Sequence, residues 1–445
     1  MAWKPLQGLA AATLIPPGWR SEAQAETWRR RLPLVALLAV VTGLTFSRLL
    51  AEGLADSLYM FGHETLRAVQ AWENFGLFAW GGFFPLGSHY LSADHVIQST
   101  EIYQSYPPLY LLIYWPSYHW FGEPGFRAFK LIWSLGYVVG IGVLLGHLAS
   151  ACFVAKKSGY RQLSFAVAYA MAITNQAVLR YVLIDEPDYL GLLLLLLGVV
   201  LLPGWWRRPA GMGRRPWGLW FVWFLAAWTY PILGAFCLLS VFALQRLRLD
   251  APIQASLRSL FLPLGIGMLL YWIQRISANL RFPSGLTGST LFGRMGLTAD
   301  TTPSHHGVLD SLRLLIWQKS GSTVLSSEMA LSHVLEHAAI WIVGVILFAI
   351  ALSRFQGVRC QILLILAAGQ LWLFIPLLHQ SLAYHDWIYA IHFAPTVVLG
   401  WVGGLSCLLP QRKDGIFSFW MLGFIGTLIW SIQLRFFLVA YLQSG

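Results

Sequence analysis

Three short stretches of this 445-residue chain carry side chains able to take up a proton or hold a charged group. The first, "DSLYMFGHETLRAVQAWENFG", sets Asp56, His63, Glu64 and Glu73 along a segment that reads as an amphipathic helix, with Leu58, Met60, Leu66, Val69, Trp72 and Phe75 as its apolar stripe. Such a stripe predicts a helix lying along a membrane surface. The second, "RYVLIDEPDYLGLLLLLLG", places Asp185, Glu186 and Asp188 between two apolar runs. Like charges that close repel unless a cation, an amine or sugar hydroxyls lie among them, and their oxygens are those a divalent metal prefers. The third set is basic: Arg275 and Arg281 at the end of an apolar run, and His385 in "HQSLAYHDW", positioned to hold a phosphate.

Each signal has a plainer reading beside it. Carboxylates on an amphipathic helix are mostly solvated, and Glu73 is expected on that solvated face. Three acids around Pro187 are compatible with a hydrated turn, and Arg313 and Lys319 are expected to snorkel to headgroups. Adjacent His305 and His306 are weak grounds for a metal site. Position favours Glu64 and Asp56, because both follow the first apolar run closely, where a lipid headgroup would sit.

The elements that must position these groups follow from composition. The chain is 57% hydrophobic and 11% charged, with a mean hydropathy of +0.62, more apolar than a soluble domain could keep in water. It reads as an all-α polytopic membrane protein with about eleven transmembrane helices, a single transmembrane domain over residues 1–445. Arg29, Arg30 and Arg31 precede the first run, Leu32–Leu50, and hold its start in the cytoplasm as an uncleaved span. External loops then fall at residues 51–106 and 277–337, and these form the expected active-site face. The first carries six acids against the single basic residue Arg67. Basic loops such as "KKSGYR", "WWRRPAGMGRR" and "QRKD" land on one side of this threading, and the acid- or His-rich loops land on the other. The run Trp217–Leu244 is broken around Pro231 and reads as a hairpin of two short spans.

The stretch "YQSYPPLYLLIYWPSYHWFG" resists that scheme, since a full span there would move every later loop to the wrong side. Residues from Pro107 to Phe121 therefore read as a re-entrant or interfacial helix, with tyrosines and tryptophans at headgroup level; a kinked span paired with a second short crossing before Lys130 is the other reading. The four cysteines lie inside apolar runs or beside basic loops and imply no disulfide framework. No Walker loop, dinucleotide fingerprint or metal-binding Cys spacing occurs, so energy must arrive with a substrate or through a gradient.

The order of these motifs resembles the GT-C superfamily of membrane glycosyltransferases, the protein mannosyltransferase and aminoarabinose transferase branch in particular. The resemblance rests on an early external loop with an acid and a helix ending in "ENFG", then "YPPL", then "FG" before a span carrying Arg127. "RYVLIDEPDYLGLLLLLLG" and "YHDWIYAIHFAP" resemble that branch's early Arg and Asp-Leu pattern and its late His-aromatic-Pro element. It covers most of the chain in order, through short motifs.

The resemblance implies a glycosyltransferase moving a hexosyl or pentosyl group from a polyprenyl-phosphate donor to a lipid, glycan or protein acceptor at the external face. That family's early loop carries a catalytic acid, often an Asp-Glu pair. Here "HET" stands in its place, which makes Glu64 the first choice of base and Asp56 the second. His63, Tyr106, Asp185, Glu186, Asp188, Arg275, Arg281 and His385 are the candidate substrate-binding residues. A divalent metal is open, membrane lipids are partners, and no nucleic-acid partner is implied. The implied location is a bacterial inner membrane with the site facing the periplasm. A transporter or flippase for lipid-linked sugars, or a non-catalytic assembly subunit, are the rival classes.

Overall fold

The computed structural model describes residues 35–47, 49–50, 61–77, 83–85, 102–103, 108–152, 158–179, 187–206, 217–230, 261–281, 331–355 and 393–408, together with Val182, Phe242 and Ala367. The described elements are α1 (Val35–Ser47), α2 (Phe61–Phe75), β1 (Phe84–Pro85), β2 (Ile102–Tyr103), α3 (Leu109–Leu112) and α4 (Trp115–Cys152). They continue with α5 (Ser158–Ile173), α6 (Gln176–Leu179), α7 (Pro187–Trp206), α8 (Trp217–Thr229), α9 (Leu262–Arg281), α10 (Leu331–Arg354) and α11 (Phe393–Leu408). Helices dominate, as the apolar runs require. Among the described residues, the one addition to the all-α expectation is a two-residue antiparallel pairing in which Phe84 faces Tyr103 and Pro85 faces Ile102.

Side-chain contacts fix how the helices run. Ser134 Oγ donates to the Val182 carbonyl at 3.0 Å, Tyr137 and Tyr189 have ring centroids 6.4 Å apart, and a methyl group on Gly140 would meet Leu193 at 2.7 Å. α4 and α7 are therefore parallel. α5 returns beside α4 in the opposite sense, with Gly142 against Ile173 and Gly146 against Phe165. α8 and α9 run parallel, joined by Trp228 Nε1 donating to Gln274 Oε1 at 2.8 Å and by the close approach of Gly267 to the Phe224 carbonyl. α10 and α11 also run parallel, with Trp401 Nε1 donating to the Ile340 carbonyl at 2.9 Å and Leu347 against Gly404. α1 is tied to α5 by a 2.7 Å hydrogen bond between Thr42 and Tyr169. These relative senses are the ones an alternating threading requires.

Which faces stay uncovered is equally informative. On α9 the exposed residues Leu262, Ile266, Leu269, Ile273, Ile276 and Leu280 follow one helical stripe. At 1.5 Å per residue the stripe is about 27 Å long, close to the hydrocarbon thickness of a bilayer of about 30 Å. Leu264, Tyr271 and Ala278 on the opposite side are buried. An amphipathic helix with its apolar face outward suits lipid and not water. Among the described residues one helix, Trp115–Ala151, is long and apolar enough to cross a membrane, and Val35–Ser47, Pro187–Leu201, Trp217–Thr229, Ala339–Arg354 and Ala394–Leu408 are shorter apolar helices. Other runs of the expected eleven-span threading lie outside the described residues.

Local breaks follow from particular residues. Gly122 takes φ 63° and ψ −158°, a region in which side chains with a Cβ are strained, so the segment Trp115–Phe121 ends there and the long apolar segment begins after it. Pro124 falls in the first turn of that second segment, where its missing N–H costs nothing. The expected span from Gln162 to Leu183 is interrupted: α5 ends at Ile173, and Asn175, buried, offers its carbonyl to the amides of Val178 and Leu179 at the start of α6. Asn at a helix start is favoured. α8 ends at Thr229, just before Pro231, as expected of a helix meeting proline.

Candidate functional site

α2 carries the first acidic motif, and the structure corrects what its apolar stripe covers. Ala68, Val69 and Trp72 are buried in the main core of the bundle, and Leu66 packs against that core. The stripe faces protein, because the helix lies across α3 and α4 and leaves Arg67, Glu73 and Asn74 outward. Leu58 and Met60 are outside the described residues. Gly76, at φ 90°, closes the helix by donating its amide to the Trp72 carbonyl at 2.9 Å.

Two contacts clamp α2 onto α9. Trp72 Nε1 donates to the Phe83 carbonyl at 3.0 Å, and the Phe83 ring meets Tyr271 edge-on with centroids 6.3 Å apart. Ala71, Phe83, Tyr271 and Ala278 form one buried cluster, with Phe75 and Trp228 packed on it. Arg275 lies one turn beyond Tyr271, half-buried, with its guanidinium 5.4 Å from the centre of the exposed Trp272 ring. The acid-bearing helix and the arginine-bearing helix thus meet at one end of the bundle. Arg275 stands where the core face of α9 turns into its lipid-suited face.

The remaining sequence candidates fall as follows. His63 and Glu64 are in the first turn of α2, and position 64 shares its helical register with Ala68, Ala71 and Phe75. Asp188 is fully buried in the first turn of α7, a favourable place for a negative charge beside the helix amides. Arg281 is the last residue of α9. Asp56, Tyr106, Asp185, Glu186 and His385 lie outside the described residues, as do His305 and His306. No group of three or more His, Cys, Asp or Glu side chains poised for a metal occurs among the described residues.

Sequence reasoning missed three polar features at this end. His119 Nδ1 donates to both carboxylate oxygens of Glu73 at 3.0 Å, and its ring stacks on Trp115 with centroids 5.1 Å apart. Glu73 is exposed, as expected of the solvated face, but it is held by another element 46 residues away in sequence. Lys130 is buried on α4, 5.9 Å from the centre of the Phe126 ring. A lysine inside an apolar run is the available signal, since a charge in such a place is costly. Arg127 and Glu123 form an exposed pair at 2.8 Å at the start of the long segment of α4.

No protein-family description matches the chain, and no curated protein matches its sequence. Among solved structures it is similar to the crystal structure of the Archaeoglobus fulgidus oligosaccharyltransferase tethered with an acceptor peptide containing the NVT sequon via a disulfide bond. The TM-score is 0.48 at 12% sequence identity, over 94% of this chain and 56% of that one. The chain therefore spans little more than half the length of that protein.

Proposed function

We propose that this protein is a polytopic glycosyltransferase of the GT-C type, transferring a hexosyl or pentosyl group from a polyprenyl-phosphate donor to a lipid, glycan or protein acceptor at the external, periplasmic face of a bacterial inner membrane. The observation that carries this reading is the clamp of Trp72, Phe83 and Tyr271, which brings the helix of Glu64 and the helix of Arg275 to one end of the bundle. The order of the sequence motifs supports it independently.

In this reading the Glu64 carboxylate accepts the proton of the acceptor hydroxyl or amine as that atom attacks the anomeric carbon. The bond from the anomeric carbon to the phosphate oxygen breaks, and polyprenyl phosphate leaves with the electron pair. Arg275, with Arg281 and His385, holds the departing phosphate, and charge-assisted bonds to it strengthen as negative charge grows. Arg275 suits this role because a lipid-borne phosphate comes from the side of α9 that its apolar stripe opens to lipid. Asp56 is the second choice of base, Asp185 and Glu186 with His63 and Tyr106 contact the sugar, and Asp188, being buried, holds the start of α7.

The test is sugar transfer and donor affinity measured on the same purified variants. Glu64→Gln should lower turnover by about 10² to 10⁴ with donor binding unchanged. Arg275→Ala should weaken donor binding by about 1.5 to 3 kcal/mol. Full activity in both Glu64→Gln and Asp56→Asn would remove the first loop, residues 51–106, from the chemistry, and turnover of a nucleotide sugar with no lipid carrier would overturn the donor.

A further inference from the structure

We propose that the short helical segment Trp115–Phe121 is a lipid-surface anchor whose position is passed to α2 through the Glu73–His119 contact. The segment has two unlike sides. Trp115 and Tyr118 pack against the core, and Tyr114 just before it is buried between the rings of Phe126 and Phe129. Trp120 and Phe121 are each 71% exposed, and they sit immediately before the bend at Gly122. The bend ends the helix under them, so both rings stand at a corner of the fold.

Lipid is the occupant that fits this corner. Past the bend, the outward side of α4 continues with exposed Ile132 and Val143, so the two rings lie at the edge of an apolar surface that runs on along the helix. The charged pair Glu123 and Arg127 lies directly beside the bend, at the boundary between that surface and the polar end. Tryptophan, with an apolar ring and an N–H, is the side chain that collects at a membrane–water interface, and phenylalanine gains free energy just below it.

The anchor is tied to a second element. His119 lies next to Trp120 and bonds both carboxylate oxygens of Glu73, near the end of α2, while its ring stacks on Trp115. A shift of the segment relative to the bilayer therefore moves the last turn of α2, whose first turn holds Glu64. The contact gives Glu73 a positioning role. This inference is independent of sugar transfer.

It is tested on the full chain, with its four cysteines replaced by alanine, in phosphatidylethanolamine and phosphatidylglycerol vesicles. Nitroxide labels at Trp120→Cys and, separately, Phe121→Cys should collide more with oxygen and less with an aqueous nickel chelate than a label at Asn74→Cys on the outward face of α2. The distance distribution between labels at positions 74 and 120 should be narrow, broaden with Glu73→Gln and with His119→Ala, and stay narrow with Glu123→Gln. Nickel accessibility at both 120 and 121 equal to that at 74 overturns the anchor. Labels immobilised and shielded from both reagents mean a protein partner and overturn the lipid occupant. A distribution unaltered by either change at the Glu73–His119 contact overturns the coupling.

Discussion

Gly400 rests directly on the backbone carbonyl of Gly344, so α10 and α11 cross main chain against main chain. A methyl group at position 400 would overlap that carbonyl oxygen, and Phe348 crowds the same spot. Gly400→Ala should therefore force the two helices apart and lower stability by about 1 to 3 kcal/mol, read as a fall in the thermal midpoint in detergent. Gly136→Ala, at a helical site with no atom within 4 Å of the added methyl, should leave the midpoint unchanged or raise it.

The clamp between α2 and α9 depends on one indole hydrogen bond. Trp72→Phe keeps an aromatic ring, though a smaller one, and removes the donor to the Phe83 carbonyl, leaving a buried acceptor unpaired at a cost of about 1 to 3 kcal/mol. Hydrogen exchange should speed up in residues 68–77 and 83–85 and stay unchanged in α10 and α11. Uniform acceleration across all of these would show that the clamp is part of the global fold and not a local attachment.

Asp188 is fully buried, so its replacement should be felt in folding before it is felt in binding. Asp188→Ala should lower stability by about 1 to 3 kcal/mol with donor affinity preserved in the folded fraction. Lost affinity at unchanged stability would return Asp188 to the substrate. Ser134→Ala, which removes the hydrogen bond to the Val182 carbonyl, should cost about 0.5 to 1.5 kcal/mol and act on the same junction of α4 and α7.

Sidedness is read with single cysteines in a cysteine-free background. Asn74→Cys, Glu186→Cys and His385→Cys should react with an impermeant thiol reagent in intact cells. Lys157→Cys, Arg208→Cys and Lys413→Cys should react only after permeabilisation. Labelling of Glu186→Cys from the cytoplasmic side alone would reverse the threading and remove the proposed site with it.

Elements governed by local chemistry are legible in the sequence. α8 ends just before Pro231, and the aromatic stretch before Gly122 is helical, though as two pieces, Leu109–Leu112 and Trp115–Phe121, where one helix over Pro107–Phe121 is expected. Among the described residues the apolar runs become helices, and the run Gln162–Leu183 breaks after Ile173. What periodicity could not supply is the identity of whatever covers a face. The stripe of α2 has the same spacing whether it meets lipid or protein, and here Ala68, Val69 and Trp72 meet protein. The Glu73–His119 contact joins residues 46 apart, a pairing that only the packing of α2 on α4 creates. For Asp188, the motif showed three neighbouring acids, but α7 begins at Pro187, and that single boundary draws Asp188 inside the bundle.

The edge-on contact of Phe83 with Tyr271 also imposes an order in time on biogenesis. Ribosomes add about 5 to 20 residues per second, and Tyr271 follows Phe83 by roughly 190 residues, so the ring waits about 10 to 40 seconds for its partner to be made. Until α9 is inserted, the first loop has left the ribosome with a large aromatic group uncovered. A nascent chain stalled before residue 262 should therefore leave that loop more open to proteases than one released after residue 281, in which Tyr271 covers Phe83.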